Sequence, residues 1–320
     1  MGEFLDRIQR KDWDLIESGG YRDSRMLSRG IYKKLTEKVF GQDAACKTLS
    51  VVLFQHLKNC EWKERGKKLP KTNCLLAGPT GCGKTLLART MAQIVELPFV
   101  RVDATNLVQR GYRGGMHNEQ IADVLIAQAG GFKGMAENAI VFVDEIDKLR
   151  FSRDEDLDCH ARGVQNDLLS LMDGGTIYYE PAHEEYGRKA FDTSNLLFIF
   201  SGAFSELVLG VEDADICAGD LINYGFMPEF ANRIGTVVGL NYLSGEVIKK
   251  LVRKMVEEYT FYLPMPREEL NVYTELIHSM LMRDESHTWK GGRCVGPMVR
   301  KFFEERMFEM GDKQLELKLK

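Results

Sequence analysis

The eight residues Gly78-Pro79-Thr80-Gly81-Cys82-Gly83-Lys84-Thr85 constrain the fold of this chain more than any other stretch. They follow an apolar run at residues 74–77 and precede a segment, residues 86–95, whose apolar side chains recur at helical spacing. A strand, a glycine-rich loop and a helix in this order predict a phosphate-binding P-loop. Glycines let backbone N–H groups surround phosphate oxygens, and the helix N-terminus adds its positive dipole end. The alternative is a glycine-rich turn that binds no ligand.

The P-loop interpretation assigns the phosphates of a nucleotide and Mg²⁺ as ligands. In it, Lys84 reaches the β- and γ-phosphates and Thr85 ligates the metal. Cys82 is interpreted as a small filler residue, with a redox switch as the alternative. The predicted nucleotide contacts in this segment are Gly78, Pro79, Thr80, Gly81, Cys82, Gly83, Lys84, Thr85 and Leu86.

A second constellation is the apolar run at residues 139–143, which ends in Asp144 and Glu145. Ligand sites of parallel sheets lie at the carboxyl ends of strands, so this pair is expected beside the P-loop. Asp144 is the predicted Mg²⁺ ligand, mostly through water, and Glu145 is predicted to orient and polarise the attacking water. Two carboxylates after a strand can also be an ordinary solvated strand end. Following a P-loop, they indicate hydrolysis of a nucleoside triphosphate.

The order of apolar segments predicts an α/β fold. Further strands are expected at residues 98–102, 196–200 and 236–240, separated by helices, which is typical of a parallel sheet covered on both faces. From about Ser244 the pattern becomes helical, with helices expected at residues 247–261, 268–282 and 295–310 and a strand at 315–319. Before the sheet, helices are expected at residues 31–38 and 44–59, followed by a solvated linker at 61–70. Residues 1–25 are either an amphipathic helix or a loosely attached tail.

Composition excludes several classes of protein. The net charge is −4, so no global basic field favours nucleic acid or an anionic membrane. No apolar run approaches the length of a transmembrane helix. The seven cysteines are scattered without CxxC spacing, which favours reduced thiols in the cytoplasm over a zinc site or disulfides.

These motifs together resemble the AAA+ superfamily and, within it, the ClpX group of unfoldases, with HslU more distant. The matching segments follow the order of the family over about residues 31–310: residues 39–45, 78–85, 144–149, 163–165, 192–194, 201–204, 220–222 and 227–233. The resemblance implies a three-layer α/β/α ATPase domain with a parallel sheet, followed by a small, mostly helical lid domain. The expected division is an N-terminal extension at 1–30, the large domain at 31–240 and the small domain at 241–320.

The resemblance also implies roles for single residues. Val39 and Phe40 flank adenine, where apolar contact suits a base. Ser201 takes the sensor-1 position and reads the γ-phosphate or the water; the alternative is an ordinary serine at a strand end. Arg233 takes the position of an arginine finger that acts on the neighbouring subunit's nucleotide. The alternative for Arg233 is a surface salt bridge.

The segment Gly111-Tyr112-Arg113-Gly114 matches the family's pore loop, which grips polypeptide in the centre of a hexamer. The family has an aromatic and an aliphatic residue between such glycines, whereas this chain has Arg113 after Tyr112. The pore therefore keeps an aromatic grip and gains a charge. A tyrosine buried in the core is the alternative for Tyr112. Residues 150–162 resemble a second pore loop.

Three departures from the family limit what can be transferred. No four-cysteine zinc module precedes the ATPase segments. No Ile-Gly-Phe tripeptide lies between Phe204 and Asp220, so docking of the ClpP peptidase is not expected. The sensor-2 motif aligns with residues 291–296, where Arg293 is the predicted nucleotide contact, but Gly296 stands at the sensor-2 arginine. Either Arg293 or Arg300 replaces that arginine, or the nucleotide is read differently.

The function predicted from the sequence is an ATP-dependent unfoldase that forms a ring, expected to be a homo-hexamer, and threads protein substrates through its pore. Two alternatives remain open. One is a DNA-associated AAA+ motor or loader, disfavoured by the acidic balance but compatible with Arg113 and the basic cluster at residues 63–68. The other is a slow regulatory nucleotide switch within a larger complex. No membrane partner is expected.

Overall fold

A five-stranded parallel sheet organises the chain. The computed structural model describes residues 24–64, 66, 70–108, 115–151, 155–179, 187–208, 216–262, 265–283 and 291–318. The strands are β1 Cys74–Ala77, β2 Phe99–Asp103, β3 Ile140–Asp144, β4 Thr176–Tyr179, β5 Lys189–Asp192, β6 Leu197–Gly202 and β7 Thr236–Gly239. The large sheet has the order β2-β3-β6-β1-β7, and each neighbouring pair is parallel. The strands β4 and β5 form a separate antiparallel pair.

Helices connect and cover the strands. They are α1 Ser24–Lys38, α2 Asp43–Glu64, α3 Lys84–Val95, α4 Asn118–Gln128, α5 Lys133–Ala136, α6 Glu155–Asp173, α7 Ser205–Val208, α8 Ala218–Tyr224, α9 Pro228–Arg233, α10 Gly245–Tyr259, α11 Arg267–Arg283 and α12 Val295–Lys318. Short 3₁₀ turns lie at Ala104–Asn106, Ile146–Leu149 and Gly291–Cys294.

Side chains alternate across the sheet into two cores. In β3, Val141 and Val143 pack on the face that carries α4, α6 and α9, whereas Ile140 and Phe142 pack on the face that carries α1, α2 and α3. Strands buried on both faces need continuous apolar runs, which is why the β1 and β3 sequences are apolar at every position before Asp144. The predicted parallel α/β fold is confirmed, with a helical region after it.

The helical region, α10 to α12, has a hydrophobic core of its own. Ile248, Val252 and Val256 recur along one face of α10 and pack with Ile277 of α11 and Phe303 of α12. The side chain of Ser244 caps α10 by accepting a hydrogen bond from the N–H of Val247 at 3.4 Å. No helix in the described part of the chain combines the length and apolarity that a membrane span requires.

Several predicted elements change at their ends or in type. Helix α1 begins at Ser24 rather than at residue 31, and α2 runs to Glu64, so the first residues of the predicted linker are helical. The predicted strand at 315–319 is wrong, because residues 315–318 continue α12. Leucine, glutamate and lysine there are strong helix formers, and their short alternation has no neighbouring strand to pair with among the described residues. The hairpin formed by β4 and β5 was not predicted at all.

Candidate nucleotide site

The glycine-rich loop between β1 and α3 has the backbone that a P-loop needs. Gly81 and Gly83 have positive φ angles of 79° and 108°, a region that other residues rarely adopt. Gly78 lies so close to the backbone that a Cβ built on it would be 2.6 Å from the carbonyl oxygen of Leu240. Larger residues at these positions would therefore change the path of the loop.

Lys84 is the first residue of α3, and its side chain folds back over the loop. The Nζ atom donates to the carbonyl oxygens of Gly78 at 2.6 Å and of Pro79 at 2.9 Å. The loop therefore surrounds an ammonium group. Its positive charge is the charge that binds phosphate oxygens. Thr85 is half-buried beside it, and Leu86 is 45% exposed.

The side chain of Cys82 in the loop is buried. Burial raises the pKa of its thiol, although the nearby ammonium of Lys84 acts in the opposite direction. A thiol kept protonated is a poor nucleophile, and this favours the filler interpretation over a redox switch.

Asp144 ends β3 and is almost fully buried. Its Oδ1 accepts a short hydrogen bond from the hydroxyl of Ser201 and one from the N–H of Glu145 at 3.1 Å. Its Oδ2 accepts from Nη2 of Arg101 at 2.8 Å. The carboxylate is thus held by groups from β2, β3 and β6, and its direction is fixed.

Glu145 has an unusual backbone, with φ 57° and ψ 34°. This left-handed conformation costs a residue with a side chain about 1–2 kcal/mol. It turns the chain directly from β3 into the 3₁₀ turn Ile146–Leu149, and the side chain of Glu145 is exposed while its neighbours Asp144 and Ile146 are buried. Strained residues of this kind are concentrated at functional sites.

The sheet order brings these groups together. The strands β3, β6 and β1 are adjacent, with Val143 opposite Phe200 and Leu76 opposite Ser201. Asp144, Ser201 and the start of the glycine loop therefore share one edge of the sheet, at the carboxyl ends of three neighbouring strands. The donor set fits Mg²⁺, because the hydroxyl of Thr85 and the carboxylate of Asp144 supply hard oxygen ligands.

The predicted adenine contacts lie beside the other end of the loop. Val39 is buried, and a Cβ built on Gly83 would be 3.9 Å from its Cγ1. Phe40 is half-buried, with the Nζ atom of Lys254 5.2 Å from its ring centre. A small cavity of about 80 Å³ lies between the loop and the helical region. Its lining residues are Pro79, Thr80, Cys82, Tyr242, Leu243, Ile248, Met282 and Gly291.

The turn that holds Arg293 contacts the glycine loop through its backbone. The N–H of Gly292 donates to the carbonyl oxygen of Gly81 at 3.0 Å. Arg293 and Arg300 are both exposed, and a Cβ built on Gly296 would meet Met255 at 3.3 Å. The segment aligned with sensor 2 thus touches the loop, and it does so through glycines.

Arg233 ends α9 and is paired within its own chain. Its Nε lies 2.6 Å from Oδ1 of Asp173, at the end of α6, and both side chains are largely exposed. Tyr112 and Arg113, the predicted pore residues, lie outside the described residues, as do residues 209–215 of the segment where the ClpP-docking loop was sought.

A comparison with protein families agrees with this architecture. The family model described as AAA domain (Cdc48 subfamily) matches residues 69–237, just over half of the chain. The chain belongs to this AAA domain family. It is therefore a P-loop NTPase that binds nucleotide, of a family whose members use nucleotide to remodel other molecules and commonly assemble as rings. The AAA domain match begins before β1 and ends within β7, before the helical region.

The site of this AAA domain also contains residues that sequence reasoning missed. The family resemblance implies no role for Gln42, although it lies in a matched segment, and none for Arg101. Arg101 contacts Asp144 only because β2 and β3 pair with Arg101 opposite Phe142, two residues before Asp144 on the same face. That register could not be read from the sequence, although a basic residue within an apolar strand was a usable signal.

Proposed function

We propose that the chain is a ClpX-like ATPase that hydrolyses ATP with Mg²⁺, assembles as a homo-hexameric ring and remodels protein substrates through a central pore. The observation that carries this proposal is the convergence of the glycine loop, Asp144 and Ser201 at the ends of three adjacent strands. The proposed division into a large domain at 31–240 and a small domain at 241–320 is supported by the separate core of α10 to α12.

The residues divide the chemistry as follows. Lys84 and the loop N–H groups bind and orient the phosphates, and Thr85 and Asp144 hold the metal. Mg²⁺, when bound, neutralises charge on the phosphate oxygens. Glu145 orients and polarises the attacking water, because an exposed carboxylate beside the metal ligand is placed to accept its proton. Ser201 donates to Asp144, and its proposed sensor-1 role is to contact the γ-phosphate or the attacking water.

Three further contributions come from other elements. Val39 and Phe40 supply the apolar contacts for adenine, and Arg293 approaches the nucleotide from the turn that touches Gly81. Arg233 is proposed to act on the nucleotide of a neighbouring subunit, because its position on the exposed end of α9 leaves the guanidinium accessible. An arginine finger raises the rate of phosphoryl transfer by roughly 10³- to 10⁵-fold.

The test is an ATPase assay of the protein alone, with an unfolded protein, and with single-stranded DNA. Stimulation by unfolded protein, together with loss of its residual structure, supports the remodelling function. Stimulation by DNA alone supports a DNA-associated motor. Slow turnover that neither ligand changes supports a nucleotide switch, and either of these two results contradicts the proposal. A degradation assay with ClpP is expected to remain at background, since no Ile-Gly-Phe tripeptide is present between residues 204 and 220.

A further inference from the structure

Gln42 is a buried glutamine between α1 and α2 whose amide group joins two distant segments of backbone. It is 4% exposed. Its Nε2 donates to the carbonyl oxygens of Asn241 at 2.8 Å and of Cys82 at 3.2 Å, and its Oε1 accepts from the N–H of Asn241 at 3.2 Å. Both ends of the side-chain amide are therefore satisfied by main-chain groups, as a buried amide requires.

One of these segments is the glycine loop itself. A peptide unit is planar, and its carbonyl and N–H point in opposite directions. By holding the carbonyl of Cys82, Gln42 directs the N–H of Gly83 towards the opposite side. Gly292 fixes the preceding carbonyl, that of Gly81, in the same manner. Two successive N–H groups of the proposed phosphate cradle are thus oriented by groups outside the loop.

The other segment is the connection from β7 to α10. Asn241 follows Leu240. The N–H of Leu240 donates to the carbonyl oxygen of Ala77 at 2.8 Å, and the carbonyl of Leu240 lies against Gly78. Three residues later, Ser244 caps α10. The connection that leads into the helical region is therefore in contact with the loop near Gly78 and tied to it again, through Gln42, at Cys82.

The residues before Gln42 contact α10 as well. A Cβ built on Gly41, which has φ 75°, would be 2.7 Å from Cγ2 of Val247, so these two residues are in close contact. Lys254 lies over the ring of Phe40 and donates to the carbonyl oxygen of Glu37 at 3.4 Å. The short segment at residues 39–42 therefore touches the glycine loop, the connection and α10.

We propose that Gln42 is a positioning residue that makes the conformation of the glycine loop and that of the β7–α10 connection depend on each other. When phosphates occupy the loop, the carbonyl of Cys82 is fixed. Gln42 bonds to this carbonyl and to Asn241, so the position of Asn241 and of the helical region is restricted as well. The inference rests on the proposed nucleotide site. In this proposal an uncharged side chain, distant in sequence from the loop, couples nucleotide occupancy of the loop to the position of the helical region.

The test compares Gln42→Met with Gln165→Met. Methionine has a similar length but cannot make the three hydrogen bonds. Gln165 is a matched control because it is fully buried, donates to the carbonyl of Leu149 at 2.7 Å and accepts from the N–H of Met227 at 2.9 Å. Both substitutions remove a buried glutamine that links two backbone segments, but Gln165 touches neither the loop nor the connection.

The measurement is amide hydrogen exchange of residues 78–87 and 240–247, with and without a non-hydrolysable ATP analogue and Mg²⁺, alongside the dissociation constant of the analogue. In the unsubstituted protein, the analogue is expected to slow exchange in both segments. In Gln42→Met, affinity falls about tenfold, since buried carbonyls lose their donors. At a saturating concentration the analogue still protects the loop but no longer protects 240–247. Gln165→Met retains protection of both segments.

Protection of 240–247 in Gln42→Met equal to that in the unsubstituted protein would overturn the proposal while leaving the nucleotide site intact. So would an analogue that protects the loop but never the connection in the unsubstituted protein. An unsubstituted protein that binds no analogue would instead overturn the proposed function, and this inference with it. If Gln42→Met does not fold, Gln42→Leu provides the same comparison, because leucine also lacks the donors for Cys82 and Asn241 and buries no charge.

Discussion

Nε of Arg233 lies 2.6 Å from Oδ1 of Asp173, and this ion pair joins the end of α9 to the end of α6 on the protein surface. Exposed pairs of this kind stabilise a fold by only about 0–1 kcal/mol. The guanidinium can therefore leave Asp173 at little cost when a phosphate of a neighbouring subunit is available. From the sequence, Arg233 is either a surface salt bridge or an arginine finger. The two roles are compatible, because one side chain can take two positions.

Arg233→Ala is accordingly expected to lower ATP turnover at least 100-fold while nucleotide affinity stays within about threefold. Asp173→Asn, which removes the ion pair and keeps the arginine, is the control and should retain turnover. Mixing Arg233→Ala with Glu145→Gln should restore part of the activity, since some interfaces would combine an intact finger with an intact base. Mixed rings with no recovered turnover would contradict a finger that acts across the interface.

Replacing Glu145 tests the assignment of the water-orienting carboxylate. Glu145→Gln should bind ATP with Mg²⁺ normally but hydrolyse it about 10²- to 10⁴-fold more slowly, because the proton acceptor is gone and Asp144 remains. Titration calorimetry and a phosphate-release assay measure the two effects. The comparison variant, Lys84→Ala, should lose affinity itself. Turnover at the normal rate in Glu145→Gln would show that another residue polarises the water.

The ion pair between Arg101 and Asp144 should affect the Mg²⁺ concentration that the site requires. Its guanidinium occupies Oδ2 of Asp144, the carboxylate that is proposed to hold Mg²⁺. Arg101→Gln should therefore reduce, by severalfold, the Mg²⁺ concentration needed for half-maximal binding of a fluorescent ATP analogue, since a competing cation has been removed. Arg253→Gln, which breaks an exposed pair with Glu257 on α10, is the matched control. An unchanged Mg²⁺ dependence in Arg101→Gln would separate this ion pair from metal binding.

The pore assignment is tested at Tyr112 and Arg113. Tyr112→Ala should keep basal ATPase and assembly within about twofold and abolish protein remodelling, because an aromatic ring supplies the contact area for a translocating chain. Arg113→Val should shift preference away from acidic segments, and this difference should shrink at high salt. Photocrosslinking from position 112 to a model polypeptide, with and without ATP, is the direct measurement. Labelling that ignores nucleotide, or a Tyr112→Ala protein that fails to fold, would place the tyrosine in the core.

The sequence predicts those features of the fold and the site that depend on neighbouring residues in the chain. The runs at β1 and at β3 before Asp144 are apolar at every position because both faces of the sheet are covered. The glycine loop follows β1, Asp144 ends β3, and Glu145 comes directly after it. The ion pair of Arg101 depends on strand register, and the bonds of Gln42 to Asn241 join residues that are 199 positions apart. A basic residue within an apolar strand marks Arg101 as unusual, but neither partner can be read from a single sequence.

The hairpin formed by β4 and β5 was missed for a different reason. Only Tyr179 and Phe191 of its residues are buried, and each strand has four residues, so the apolar pattern is too short to indicate a strand. At residues 315–318 the opposite error occurred: an alternating pattern was present, but the helix begun at Val295 simply continued. In these two places the type of element is decided by the strand that pairs with it or the helix that continues into it.

The contact between Gly291 and the glycine loop has one further consequence. A Cβ on Gly291, which has φ 51°, would lie 2.9 Å from the carbonyl oxygen of Gly81. Main chain thus meets main chain, with no side chain between them that could shorten, lengthen or change its rotamer. A single added methyl group at residue 291 would push the helical region away from the loop. The helical region could then be uncoupled from the nucleotide without altering any atom that takes part in the chemistry.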